Sequence, residues 1–258
     1  MSSLKGKIIA VTKSRKTVES AFKELIDLGA EIVCIPSINI VPIENNSLFE
    51  NAVDNIGQFD YLVFTSASGV EFYKKLVDER RIVPDYKALK VACVGIKTAD
   101  YCKDLGIPVS IIPRFYSAAG LAEELVNSGL LGKKILIPTS SIAREELSNL
   151  LKAAGADVQS IPVYQTKMPG LDEIDEIRNT FEKKKIDLIV FTSPSNFSNF
   201  LVIFNISNPS QFLKDYRIGA IGHTTRNAIA GSQVNVDIVP EEFSLEGIAK
   251  SIISFYKK

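Results

Sequence analysis
The chain repeats itself once. Displaced by 127 residues, it lays Asp60 on Asp187, Val63 on Val190 and Phe64-Thr65-Ser66 on Phe191-Thr192-Ser193. Ser68 then falls on Ser195, Gly95 on Gly222, Thr98 on Thr225 and Pro113 on Pro240. Ser117, Gly120 and Ala122 follow onto Ser244, Gly247 and Ala249 without a gap. Nearer the N-terminus a displacement of 126 matches Gly6-Lys7 with Gly132-Lys133, Gly29-Ala30 with Gly155-Ala156, and Pro36 with Pro162. An ordered series at one offset is a duplication, and two long units are not a short-period solenoid. The 258 residues must therefore fold as two similar halves.

Each half alternates apolar runs of strand length with helical periodicity. "KIIAVT" precedes "VESAFKELIDLG", where Val18, Ala21, Phe22, Leu25 and Ile26 share one helical face and Gly29 is the stop. "EIVCIP", "YLVFTS", "VACVG" and "VSIIP" follow, apolar throughout. The second half answers with "KILIPT", "REELSNLLKAAG", "DVQSIP", "LIVFTS", "IGAIG" and "VDIVP". Continuous apolar runs suit strands buried on both faces of a parallel sheet, so two doubly wound α/β domains are expected. "PSINIVP" and "PVYQTKMPG" fall at equivalent places and read as paired strands linking the domains, near 36–40 and 162–167. If they are, the first strand–helix–strand joins the later strands of the second half. One domain is then 1–37 with 166–258, the other an insertion over 40–163. Pattern alone leaves this arrangement and two consecutive domains both open.

In each copy Thr-Ser-x-Ser stands at the carboxyl end of an apolar strand, just before a helix. Ligands of open α/β sheets bind there, where helix N-termini offer free N–H groups and partial positive charge. "VGIKTAD" and "IGHTTRN" repeat the arrangement with a glycine that lets an anion approach the backbone. The competing role for Ser66, Thr98, Ser193 and Thr225 is helix N-capping. Both roles are compatible.

Several function classes are disfavoured. Thirty basic residues balance thirty acidic ones, which argues against a general nucleic-acid binder. Lys183-Lys184-Lys185 ends a helix and reads as a solvated run complementing its dipole. No segment is apolar and long enough to span a membrane. "MSSLKGKIIAVTKS" lacks a small-residue cleavage site and reads as the first strand. Cys34, Cys93 and Cys102 have no metal-type spacing and read as buried small hydrophobes. Their odd number, without a signal peptide, suggests a reducing, cytoplasmic setting. Neither G-x-G-x-x-G nor a Walker-type loop is present, so no nucleotide cofactor is indicated. His223 is the single histidine, so neither a histidine metal site nor a two-histidine mechanism is available. It reads as a loop residue at a helix entry. Tyr164, in the second link, is a candidate weak general acid, since phenols ionise near pH ~10. Aromatic packing in the ladder is its alternative role.

"VYQT" after "KAAGADV", "FTSPS", "VGIKTA", and "AIGHTT" followed by "SLEGIAKSI" together resemble the uroporphyrinogen-III synthase family. The resemblance runs from Lys7 to Ile253. It implies a cofactor-free lyase of two α/β domains joined by a two-stranded ladder, with the site in the cleft between them. It also favours the inserted-domain arrangement. The implied substrate is hydroxymethylbilane, closed to uroporphyrinogen III with inversion of the last pyrrole and loss of water. Tyr164 occupies the position of the family's leading proton-donor candidate. Thr65, Ser66, Thr98, Ser193, Thr224 and Thr225 are the implied binding positions for carboxylate arms. Arg144, in "REEL", and Arg217, before "IGAIG", are further anion-contact candidates. "VTKS" stands where many members have "VTRP", and His223 where proline is common. A monomer is expected, with transient contact to the upstream pathway enzyme. A non-catalytic two-domain receptor for small anions is the competing class, since paired lobes also suit hinged ligand binding. A nucleotide-using transferase is a third, disfavoured by the missing phosphate loop.

Overall fold
The computed structural model describes residues 4–257. The first three residues and Lys258, assigned above to the discontinuous domain, lie outside the described residues. β1 (Ile8–Val11) leads to α1 (Arg15–Val18) and α2 (Lys23–Asp27), where the periodicity predicts one helix. The ladder breaks because the Lys23 N–H reaches the Ser20 carbonyl, at 3.4 Å, instead of residue 19. Val18, Phe22 and Leu25 stay buried, while Ile26, expected on the same face, is exposed.

β2 (Glu31–Cys34) and β3 (Asn39–Pro42) follow. Next come α3 (Ser47–Asp54), a 3-10 turn at Ile56–Gln58, β4 (Tyr61–Phe64), α4 (Ala67–Glu79), β5 (Lys90–Cys93) and α5 (Ile96–Asp104). The chain continues through α6 (Ala118–Asn127), β6 (Lys134–Ser140), α7 (Glu146–Ala153) and β7 (Asp157–Lys167). It ends with α8 (Leu171–Glu182), β8 (Leu188–Phe191), α9 (Pro194–Ile203), α10 (Pro209–Leu213), β9 (Arg217–Ala220), α11 (His223–Ala230) and α12 (Leu245–Tyr256). No helix among the described residues is long and apolar enough to cross a membrane.

The described residues form two compact units, 4–39 with 167–257, and 40–166. The first holds a four-stranded sheet, β2-β1-β8-β9, and the second a five-stranded sheet, β3-β7-β6-β4-β5. β1 pairs in parallel with β2 and β8, and β6 with β7 and β4. The opening strand–helix–strand of each repeat thus lies beside the later strands of the other repeat. β3 is hydrogen-bonded to β7, and the Ile43 N–H beyond it donates to the Val163 carbonyl at 3.1 Å.

Both faces of each sheet are buried, which explains the unbroken apolar strands. Along β4, Leu62 and Phe64 join one core while Tyr61 and Val63 join another. Along β8, Ile189 and Phe191 divide from Leu188 and Val190 in the same alternation. "VSIIP" and "VDIVP", expected as strands, form only isolated parallel bridges, Ala92 with Ile111 and Gly219 with Ile238. Each run ends in proline, which has no N–H to extend the ladder.

At the amino edges the repeat has a structural meaning. Asp60 accepts from Lys133 at 2.8 Å and from the Lys134 backbone N–H at 2.9 Å. Asp187 accepts from Lys7 and the Ile8 N–H at the same two distances. One carboxylate per unit therefore pins the first strand of the other repeat into its sheet. Cys93 and Cys102 are buried thiols, with 3.6 Å between sulfurs, and Cys34 is half-buried.

Candidate active site
The sequence-matched hydroxyls sit where β4, β5, β8 and β9 end and helices begin. Ser66 is the N-cap of α4 and accepts the Gly69 N–H at 3.1 Å. Ser193 caps α9 and accepts the Asn196 N–H at the same distance, with Ser195 Oγ 3.0 Å away. The serines therefore cap. The threonines do not, because α5 and α11 begin earlier, behind Gly95 and Gly222. His223 is correspondingly the first residue of α11 rather than a loop residue, and its ring meets Phe243 edge-on at 5.0 Å.

The glycine starts change what these helices can bind. Neither α5 nor α11 has a side-chain cap. Their ladders open with Ala99 N–H to Gly95 and Arg226 N–H to Gly222. The N–H groups of Ile96, Lys97 and Thr98, and of His223, Thr224 and Thr225, stay outside the ladder and carry the positive end of the dipole. Thr98 and Thr225 are buried beside them, and Thr224 is exposed. A Cβ at Gly95 would meet only the Tyr116 side chain, at 3.9 Å, so that helix entrance is open.

The two Phe-Thr-Ser copies are not equivalent. Thr192 is consumed by structure: its N–H and hydroxyl bond Thr12 Oγ1 and the Thr12 carbonyl, both at 3.2 Å. The Asn196 amide donates to Thr192 Oγ1 at 2.6 Å, and Ser37 donates to Asn196 Oδ1 at 3.1 Å. Its counterpart Thr65 is exposed. Beside Thr65, Ser66 Oγ lies 2.9 Å from the Tyr164 hydroxyl. β7 carries Tyr164, which is 9% exposed and stacks on Phe72 of α4 with centroids 5.7 Å apart. The phenol thus joins a helix N-terminus and packs as an aromatic at once.

The two arginines part company. Arg144 is exposed just before α7, on the carboxyl side of β6. Arg217 opens β9, at the amino end of that strand, and binds Asp237 at 3.0 Å. It is therefore not grouped with Thr224 and Thr225, which follow the strand's other end.

A family model described as uroporphyrinogen-III synthase HemD matches residues 20–250. The chain belongs to the uroporphyrinogen-III synthase family. It is 26% identical over 255 residues to uroporphyrinogen-III synthase of Chlorobaculum parvum, covering 97% of this chain and 100% of that one. It is 25% identical to a putative uroporphyrinogen-III synthase of Methanothermobacter thermautotrophicus over 95% of this chain and 96% of the relative. Its fold is similar to that of uroporphyrinogen-III synthetase from Helicobacter pylori, with a TM-score of 0.61 at 19% identity, covering 96% and 99% of the two chains. A Thermus thermophilus uroporphyrinogen III synthase mutant gives 0.58 at 15%, covering 98% and 99%. Within the uroporphyrinogen-III synthase family, therefore, this chain keeps the two-unit α/β architecture at low identity.

Proposed function
We propose that the protein cyclises hydroxymethylbilane to uroporphyrinogen III, with inversion of the last pyrrole and release of one water. Membership of the synthase family supports the reaction. The observation that carries the site is the Tyr164–Ser66 contact of 2.9 Å at the N-terminus of α4. A phenol hydrogen-bonded to a capping serine is held in one orientation, with its O–H placed to donate a proton. Tyr164 gives its proton to the departing hydroxyl, water leaves, and an electrophilic, protonated azafulvene remains beside the phenolate. The last pyrrole then attacks through its substituted carbon and forms a spiro intermediate, which rearranges to the inverted ring; the proton released as the pyrrole rearomatises returns to the Tyr164 phenolate.

Carboxylate arms are taken by helix N-termini without side-chain caps: Ile96–Thr98 behind Gly95, and His223–Thr225 behind Gly222. Thr65, Ser66 and Ser193 add hydroxyls at the neighbouring strand ends. Orientation of this kind supplies several kcal/mol of the barrier without any covalent intermediate on the protein. Arg217 is left out, because Asp237 already engages it. Three free thiols suit a cytoplasmic enzyme.

The test is to generate hydroxymethylbilane in place, add the protein, oxidise the product and separate the isomers. Predominance of type III is expected. Type I alone, from demonstrably folded protein, sinks the reading and brings the anion-receptor alternative forward. Tyr164→Phe is expected to slow type III formation by about tenfold, the loss of one proton-donating hydrogen bond of roughly 1.4 kcal/mol, without abolishing it. An unchanged rate removes Tyr164 from the mechanism.

A further inference from the structure
The network that fills the strand ends of one unit is missing from the other. Ile9 of β1 lies opposite Leu188 of β8, and Ile135 of β6 opposite Tyr61 of β4. These registers make Pro138 the counterpart of Thr12, Thr65 that of Thr192, and Gly69 that of Asn196. The hydroxyl and amide that hold Thr192 are thus replaced by residues with no polar side chain. A Cβ at Gly69 would sit 2.9 Å from the Pro138 carbonyl oxygen, so no larger residue fits there.

Beside this point two adjoining depressions, of about 600 and 270 Å³, share Thr139, Arg144, Ser148 and Ser160. Thr65 reaches the smaller one and Lys152 the larger. Thr139 and Ser148 are only 7% and 6% exposed. Among the described residues neither side-chain hydroxyl has a protein hydrogen-bond partner, and both line the depressions, so what little of each residue is exposed leaves its hydroxyl free to donate to a ligand there. The β-bulge between Thr139 and Ser140 breaks the regular ladder at this edge, as bulges beside binding sites do. Arg144 and Lys152 form no ion pair among the described residues. Glu145 and Glu146 also reach the rims, so the net field is weak. Selection then rests on directed donors rather than on charge alone.

We propose that this pocket binds one carboxylate side arm of a pyrrole ligand. Arg144 supplies the cation, and the Thr139 and Ser148 hydroxyls donate to the carboxylate oxygens. Only the identity of the arm-bearing ligand rests on the synthase reading.

The probe is a monopyrrole carrying one acetate and one propionate arm, titrated calorimetrically against the full chain, with its dimethyl ester as the uncharged control. The diacid is expected to bind and the diester not. Thr139→Val and Ser148→Ala should each weaken the diacid by about five- to tenfold, one hydrogen bond to a charged group. Thr139→Ser, which keeps the hydroxyl, should bind as the wild type does. Should Thr139→Val disturb the sheet, Ser148→Ala on the helix carries the test alone. Equal binding of diacid and diester, no binding of the diacid to the wild type, or undiminished binding by both hydroxyl-deleted variants overturns the proposal. Type I product together with the expected binding pattern would remove the synthase reading and leave the pocket standing. Type III product with unweakened variants would do the reverse.

Discussion

Asp60 and Asp187 do the same work at equivalent positions, and their ionisation ties sheet assembly to pH. The Lys133 ammonium and the Lys134 N–H hold the Asp60 carboxyl below the usual range. Burial alone would push Asp187 up, but the Lys7 ammonium and the Ile8 N–H outweigh it and leave the group lowered. A lowered carboxyl contributes stability above its unfolded value and loses it as pH falls through the folded one. Lys7, raised chiefly by its hydrogen bond to Asp187, contributes below its unfolded value and loses that as pH rises through the folded one. Asp187→Asn should therefore flatten the acid limb of a urea-stability profile below pH ~4 and cost about 1 kcal/mol at neutral pH, allowing for solvent screening. A profile parallel to wild type would show that the carboxylate is not the titrating group. Both aspartates were visible in the sequence as a matched pair, but their role was not. It depends on Lys7 and Lys133, which pair across the repeats.

Among the elements, the helix starts decide both folding and binding. Ser117 caps α6 and Ser244 caps α12, each accepting the N–H of a glycine, Gly120 and Gly247. A Cβ at Gly120 would lie 2.3 Å from the Phe115 carbonyl oxygen, and at Gly247 2.0 Å from that of Glu242. Backbone cannot yield as a side chain can, so Gly120→Ala and Gly247→Ala should each cost about 2–4 kcal/mol in chemical denaturation. Gly95→Ala, whose Cβ would meet only the Tyr116 side chain at ordinary contact distance, should stay within about 1 kcal/mol, while impeding anion approach to α5. Near-equal losses at Gly95 and Gly120 would show that the close carbonyl contact does not set the cost. Strand ends and serine caps were legible because a local pattern, apolar run then hydroxyl, specifies them. The break between α1 and α2 was not, since it turns on one hydrogen bond from Lys23 to Ser20. Nor was the displacement of Thr98 and Thr225 from cap to third helical position. Thr139 and Ser148 gave no signal at all, because no local pattern marks them: the depressions they line are built from β6, α7 and β7 only in the folded unit.

At the scale of the whole molecule the duplication has an asymmetric outcome. Residues 40–166 are continuous in the chain and contain a complete sheet with a core on each face. The other unit must bring residues 4–39 back to 167–257, and its central pairing sets Ile9 against Leu188. The matching pair within the continuous unit, Tyr61 with Ile135, spans far less chain. Loop-closure entropy grows only logarithmically with length, about 0.6 kcal/mol per doubling, so final stability need not differ much. Order of assembly should, because long-range pairings form late. The continuous unit is therefore expected to fold by itself: a fragment of residues 40–166 should unfold cooperatively in urea and show dispersed amide resonances. In the full chain, pulse-labelling should protect the β4 and β6 amides before those of β1. A molten fragment, or simultaneous protection of β1 and β6, would mean that the continuous unit depends on the rest of the chain.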